Sequence, residues 1–390
     1  MTLSEERLRD DIAAVLPQVR DLRHELHQNP ELSLCEFETR QRLLHRLARL
    51  PLTVHPPFLE TDVVADLAVN DQPHVLLRAD MDALPIHEAS GVPYASLVPG
   101  VMHACGHDGH MAILYGAACV LSTMQEALPQ PVRFVFQPGE EMVCAGRDLA
   151  PLVAESAIAR YALHGWPGIE AGSIACCPGP MMAAAAFFEV CFHGQSCHGA
   201  MPHLGLSPMD SVARFVLAMQ QFHETIHNRD GSVASVAVLE AGQATNAIPG
   251  EAYVRGTLRH LDDVQAAEDF EAVHRLAAEA CAAGVTVSVT IEATYELPLV
   301  NSQSAYERIA GAAKRSARGW QQLTAPSMGA EDFAYYLAGR EGAMFWVGLG
   351  QTHPGLHSST FDFNDAVLAD GILMFCLLAL EPHSVQEGLK

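Results

Sequence analysis

Apolar positions at helical spacing open the chain. Leu22 and Leu26 fall on one face and Asn29-Pro30 stops the run, which predicts a helix within the first forty residues. Phe37 to Leu50 reads as a second amphipathic helix, ended by Pro51. Short β-rich runs follow at 62–69 (DVVADLAV), 74–80 (HVLLRAD), 132–137 (VRFVFQ) and 159–165 (ARYALHG). Between two of them, Gly109 to Leu128 is apolar, alanine-rich and free of proline, which predicts a helix. Strand, helix and strand in that order predict an α/β layer with a buried, largely parallel sheet.

From about residue 187 the texture changes. FFEVCFH (187–193) reads as a strand, and Ser207-Pro208 then opens a helix to about His227, with serine at the cap and proline in the first turn. SVASVAVLE (232–240) and EAYVRGTLR (251–259) alternate as two more strands. A helix from Asp262 to Ala283 stops at Gly284, and VTVSVTIEA (285–293) closes the set. The order βαββαβ is that of a ferredoxin-like unit. Residues 182–293 therefore read as a compact domain inserted between the two parts of a first domain, 1–181 and 294–390.

A chain of 390 residues exceeds the length at which one core stops growing, which agrees with two domains. Hydrophobic residues at 49% and charged residues at 18% leave ample material for burial and argue against disorder. The net charge of −23 repels phosphate backbones and anionic lipid, so neither nucleic acid nor a membrane is an expected partner. Ten irregularly spaced cysteines do not form a secreted disulfide scaffold, and the start MTLSEERLRDDIAAVL is acidic where a signal peptide is basic and then apolar. A cytoplasmic location is expected. GILMFCLLAL (371–380) is about half of a membrane span and reads as a buried helix.

The candidate chemistry starts at VMHACGHDGHMA (101–112). Cys105 and His107 are two apart, which on a helix aims them in nearly opposite directions but on a turning or extended backbone places them on one side. Gly106 permits the tight path, and thiolate and imidazole are both zinc-type ligands. The pair alone is equally compatible with a core cysteine flanked by surface histidines. FQPGEE (136–141) places two adjacent carboxylates after a strand, where α/β sheets bind ligands. Metal hydrolysis has a use for both, one to bind the ion and one to take a proton from water; a solvated acidic turn is the plainer alternative. His164, ending ARYALHG, and His357, in LHSSTFDFND, are in similar settings, and either could be an ordinary partly buried histidine.

The ordered series RADMDALPI (78–86), MHACGHDGH (102–110), FQPGEE (136–141), LHGWP (163–167), NAIPG (246–250), MGAEDFA (328–334) and LHSSTFDFND (356–365) resembles that of the dinuclear metallohydrolases. That family includes aminoacylases, glutamate carboxypeptidases and succinyl-diaminopimelate desuccinylase. Within it the resemblance is to the amidohydrolase branch, with hippurate hydrolase, indole-acetyl-amino-acid hydrolase and acetyl-diaminopimelate deacetylase, whose start RHELHQNPELSLCEFET also resembles. The resemblance implies a three-layer α/β/α catalytic domain of the zinc-exopeptidase type, with the inserted domain as a lid and dimerisation unit. It also implies two divalent ions per chain (zinc, manganese, nickel or cobalt) and a homodimer.

On the matching positions, the resemblance implies Cys105, His107, Glu141, His164 and His357 as metal ligands and Glu140 as general base. Peptidase members carry a His-x-Asp pair where this chain has Arg78-Ala79-Asp80, so Asp80 is expected to orient a ligand. His198 in SCHGAMPH matches a histidine that reaches the substrate's oxyanion, often across a dimer interface. Asn246 and Arg259 are further candidates for substrate contact. The chain departs from the family's Gly-Gly-His-Ala with Ser196-Cys197-His198-Gly199, which touches the neighbouring pocket. The activity implied is hydrolysis of an N-acyl amino acid to a carboxylate and a free amino acid. A dipeptidase or carboxypeptidase and a catalytically silent binding protein are the alternatives. His24-Glu25-Leu26-His27 is one residue short of an HExxH zinc helix, no serine-hydrolase elbow or phosphate loop is present, and Cys176-Cys177 reads as structural.

Overall fold

The computed structural model describes residues 5–316 and 318–383. The chain divides into two compact units. One gathers Met1–Met181, Val300–Ala325 and Asp332–Lys390; the other gathers Met182–Leu299 and Pro326–Glu331.

The first unit is built on an eight-stranded sheet in the order Thr53–Val54, Val63–Leu67, Val132–Gln137, Val75–Asp80, Ala159–Pro167, Gly342–Gly350, Ser173–Cys176, Gly319–Gln322. The four central strands run parallel to one another. Antiparallel pairings with Val63–Leu67 on one side and Ser173–Cys176 on the other make the sheet mixed rather than largely parallel. Val75–Asp80 is buried at every position, the mark of a strand covered on both faces.

Helices occupy Glu5–Gln28 and Phe37–Leu47. The next helix, His107–Thr123, begins two residues before the sequence pattern predicts and stops short of Leu128, with a tight turn at Gln125–Ala127. All its residues from His107 to Leu121 are buried, so no amphipathic period marks its ends. It packs on the Glu5–Gln28 helix, the C-terminal Leu368–Leu380 helix and the Val75–Asp80 strand. Among the described residues no helix is long and apolar enough to cross a membrane.

Gly342–Gly350 is a strand the sequence pattern does not signal. A Cβ at Gly348 would lie 2.1 Å from the Glu170 carbonyl oxygen, so close backbone approach imposes the glycine that weakens the strand signal.

In the second unit the chain runs through strand Ala184–His193, helix Met209–Asp230, strands Val233–Ala241 and Glu251–His260, helix Asp263–Ala280 and strand Thr286–Tyr295. The strands are all antiparallel and lie in the spatial order second, third, first, fourth. Phe188, Val190 and Phe192 alternate into a core with Phe215 and Met219 of the first helix and Val273 of the second. Phe187, Glu189, Cys191 and His193 take the opposite face. The first helix ends at Gly231 in a left-handed conformation. Asp262 caps the start of the second by accepting from the Gln265 amide.

Candidate metal centre

The ends of the parallel strands assemble the site. Val75–Asp80 runs out into Met81-Asp82, Val132–Gln137 runs out into Pro138-Gly139-Glu140-Glu141, and His164 lies within Ala159–Pro167. Because these strands are parallel neighbours, their C-terminal ends meet at one edge of the sheet, where such folds place ligands.

Two glycines shape the loops. Gly106 has φ +87°, a left-handed conformation that turns the chain between Cys105 and the first helical residue, His107. Gly139, at φ +65°, makes the corresponding turn before Glu140. Asp82 ties the two loops together. Its Oδ1 accepts from the Glu140 amide at 3.1 Å and lies 3.3 Å from His107 Nδ1. Its Oδ2 accepts from the Glu141 amide at 2.9 Å and from the Ser33 hydroxyl at 2.6 Å. His357 arrives from the C-terminal segment on a left-handed backbone, φ +62°, a conformation that costs a non-glycine residue on the order of 1 kcal/mol. Its amide donates to the Ala104 carbonyl at 2.8 Å, and its Nε2 lies 3.2 Å from Glu141 Oε1.

Donor atoms converge as a result. Those of Cys105, His107 and His164 lie within 4.8 Å of one another, as do those of Cys105, Glu141 and His357, and those of His107, Glu140 and Glu141. The first two groups share Cys105. Cys105 Sγ and His164 Nε2 are 3.4 Å apart, close to the roughly 3.6 Å that separates sulfur and nitrogen ligands of one tetrahedral zinc-type ion. His164 Nδ1 donates to the Gly165 carbonyl at 2.8 Å, so the proton sits there and the Nε2 lone pair faces the thiol. His107 likewise turns Nδ1 to Asp82, leaving Nε2 3.9 Å from Glu141 Oε1.

His110 is held differently. It donates from Nδ1 to Asp80 Oδ1 at 2.7 Å and accepts the Gly165 amide at Nε2, 2.8 Å, so both ring nitrogens are engaged within the protein. The ring thereby ties the His164 strand to Asp80. Asp80 is gripped from the other side by Arg78, 2.9 Å from its Oδ2.

The electrostatics favour a cation here. Burial alone would lower the His107 pKa, but Asp80, Asp82 and Glu141 outweigh it and hold the imidazole up at about 10. Burial, reinforced by Glu141, Glu140 and Asp80, drives the Cys105 thiol well above its ordinary value. Burial and the neighbouring His110 push His164 well below its ordinary value, which keeps it neutral. A divalent ion supplies the positive charge that the carboxylates attract and that a thiolate needs. The donor set and the tautomers of this structure therefore fit a pair of zinc-type ions.

The remaining candidates lie in the second unit. His198 stands on the short strand Cys197–His198, paired with Ala247, and its Nδ1 accepts the Ala200 amide at 3.1 Å. Asn246 is beside it, its carbonyl accepting from the Gly199 amide at 2.7 Å. Arg259 is at the far end of the Glu251–His260 strand, donating to the Thr257 hydroxyl at 3.1 Å, away from that pair. Two participants escape a sequence reading. Asp82 sits inside RADMDALPI, two residues after Asp80, and Asp332, inside MGAEDFA, accepts from Arg78, Gln137 and the Gly146 amide.

A thiol, imidazoles and carboxylates gathered at the C-terminal edge of parallel strands, with a second carboxylate at hand for proton transfer, define a metal-dependent hydrolase. Residues 76–381 match peptidase family M20/M25/M40, and the chain belongs to that family. Over 366 residues it is 33% identical to an N-acetyl-L-cysteine deacetylase of Bacillus subtilis, a match covering 92% of this chain and 86% of the relative. It is 31% identical over 390 residues to thermostable carboxypeptidase 2 of Saccharolobus solfataricus, covering 96% of this chain and 98% of the relative. The crystal structure of a dinuclear metal-binding M20 peptidase from Bacillus subtilis superposes with a TM-score of 0.82 at 29% identity, over 94% of this chain and 98% of that one.

Proposed function

We propose that the protein hydrolyses the amide bond of N-acyl amino acids, releasing a carboxylate and a free amino acid. The observation that carries this reading is the placement of Glu140. Its carboxylate lies within the donor cluster of His107 and Glu141, and Cys105, His107, Glu141, His164 and His357 are the five residues we assign as ligands of two ions. Bound by these five residues, the ions supply a Lewis acid for the amide carbonyl and lower the pKa of water towards 7. Glu140 takes a proton from water as its oxygen bonds to the carbonyl carbon, and returns it to the amide nitrogen as the C–N bond breaks. Asp82 fixes Glu140 and Glu141 through their amides, and Asp80 steadies the neighbouring helix through His110.

His198 is proposed as donor to the tetrahedral oxyanion. With Nδ1 accepting the Ala200 amide, a neutral ring carries its proton on Nε2 and presents it outward. Asn246 supports the same corner, and Arg259 is retained as a contact for the substrate's outer end. The strand order second, third, first, fourth supports reading residues 182–293 as a ferredoxin-like lid and dimerisation domain inserted in a three-layer catalytic domain of residues 1–181 and 294–390. A cytoplasmic homodimer acting on a small-molecule substrate completes the proposal.

Glu140→Gln tests it. Turnover is expected to fall by a factor of about 10² or more, with metal content unchanged; a variant that loses its ions would make Glu140 a ligand instead. The carboxypeptidase relative favours peptide hydrolysis as a second reading. Comparing simple dipeptides with acetyl and benzoyl amino acids separates the two, the acyl amino acids being the expected substrates.

A further inference from the structure

A second set of mixed donors converges on the open face of the second unit's sheet. Cys191 and His193 are two apart on the Ala184–His193 strand and share a face, and Glu251 is the direct cross-strand partner of His193. His193 Nδ1 lies 3.6 Å from Cys191 Sγ and 3.2 Å from Glu251 Oε1, and the three donor atoms fall within 4.8 Å of one another. Ligands on one tetrahedral ion, with bonds of about 2.3 Å to sulfur and about 2.0 Å to nitrogen or oxygen, are about 3.6 Å apart for sulfur and nitrogen and about 3.3 Å for nitrogen and oxygen. The observed spacings match both.

Two of the donors are also held from behind. Ser288, on the adjacent strand, bonds His193 Nε2 at 3.0 Å, and its hydroxyl can accept, so the ring can keep its proton on Nε2 and turn the Nδ1 lone pair to the thiol. Tyr253 donates its hydroxyl to Glu251 Oε2 at 2.7 Å, which leaves Oε1 facing the imidazole. Cys191 is buried at the base of the cluster, while His193 and Glu251 are open to solvent. No donor belongs to the unit that holds Cys105.

We propose that Cys191, His193 and Glu251 form a separate mononuclear site for a zinc-type ion, with the fourth ligand position open to solvent. A thiolate, an imidazole and one carboxylate select zinc or cobalt(II) over magnesium and calcium, which take oxygen ligands. The site does not depend on the assignment of the dinuclear centre.

The test is a cobalt(II) titration of the metal-free full-length protein, read by near-ultraviolet thiolate absorption and by bound-metal analysis. His193→Gln, Glu251→Gln and Cys191→Ala are each expected to bind one ion fewer than the unaltered chain, whereas Cys105→Ser keeps this ion. Ser288→Ala and Tyr253→Phe retain every donor and are expected to weaken that ion by about ten- to a hundredfold. Ser288 is exposed and Tyr253 half-buried, so this loss is not a folding defect of a variant at buried Cys191. Equal stoichiometry in His193→Gln, Glu251→Gln and the unaltered chain overturns the site.

Discussion

Replacing Arg78 with methionine probes the scaffold behind the metal centre. The guanidinium is fully buried and donates to Asp80 Oδ2 at 2.9 Å, to Asp332 Oδ1 at 2.7 Å and to Gln137 Oε1 at 3.0 Å, with the Phe333 ring 5.9 Å away. Methionine fills much of the volume but leaves buried Asp332 without its guanidinium, while Asp80 keeps His107 and His110 as partners. Breaking one buried pair costs about 3–5 kcal/mol. Domains are stable by only about 5–15 kcal/mol, so the loss is a large share of the total. At about 2 °C per kcal/mol for a unit of this size, the midpoint falls by about 6–10 °C. Scanning calorimetry near neutral pH measures it, and metal analysis of the same sample separates loss of fold from loss of site. Arg78→Lys should recover only part, because a compact ammonium does not reproduce the planar, spread donors with which the guanidinium meets its three acceptors. A shift of less than about 2 °C in Arg78→Met would refute the assignment of Arg78 as the buried cation holding Asp80 and Asp332.

Three further outcomes are expected. Burial lowers the pKa of His27, but Asp108 at 2.8 Å and Glu88 at 3.1 Å outweigh it, even against nearby Arg23, and raise it from 6.5 to about 9. The folded state thus holds this proton more tightly than the unfolded chain, so the stability is complete below pH 6.5 and is lost, by roughly 3 kcal/mol, as pH rises to about 9. Urea unfolding across that window should show the fall and His27→Gln should flatten it; an unaltered chain with a flat profile contradicts the assignment. Gly109→Ala gains about 1 kcal/mol of helix propensity, yet its Cβ would lie 2.4 Å from the Phe363 ring. Overpacking of about 1–3 kcal/mol wins, so urea unfolding should find the variant less stable, with Phe363→Leu restoring part of the loss. Cys105→Ser should weaken ion binding and leave the fold intact, checked by metal content beside circular dichroism, and a variant retaining both ions at unchanged affinity would remove Cys105 from the ligand set.

The parts of this site that rest on local chemistry were legible in the chain, and the parts that rest on distant contacts were not. Cys105-Gly106-His107 announces a turn that aligns two donors, and Gly106 makes that turn on a left-handed backbone. FQPGEE announces carboxylates at a strand end, and the parallel pairing of that strand with Val75–Asp80 brings them to the same edge. Asp82 was hidden because the chain leaves the strand after Asp80, so alternation stops at the residue that ties both loops together. Arg78 and Asp332 are 254 positions apart, and no period links them. The left-handed backbone of His357 carries no glycine to signal it. In the sheet, the glycines that let Gly342–Gly350 pack closely are the residues that disguise it as a loop. The His107–Thr123 helix, buried from His107 to Leu121, lacks the exposed face that would have marked its start.

The central claim is tested most directly by stripping the protein with chelator, reloading it separately with zinc, manganese, nickel and cobalt, and measuring free amino-acid release from acetyl, benzoyl, indole-acetyl and long-chain acyl amino acids. The expected result is release that disappears with the metals and returns with at least one of them, absent in Glu140→Gln loaded to the same stoichiometry. Fully metallated protein that releases nothing from any acyl amino acid while cleaving dipeptides would contradict the amidohydrolase reading, and silence on both classes would contradict catalysis at this centre.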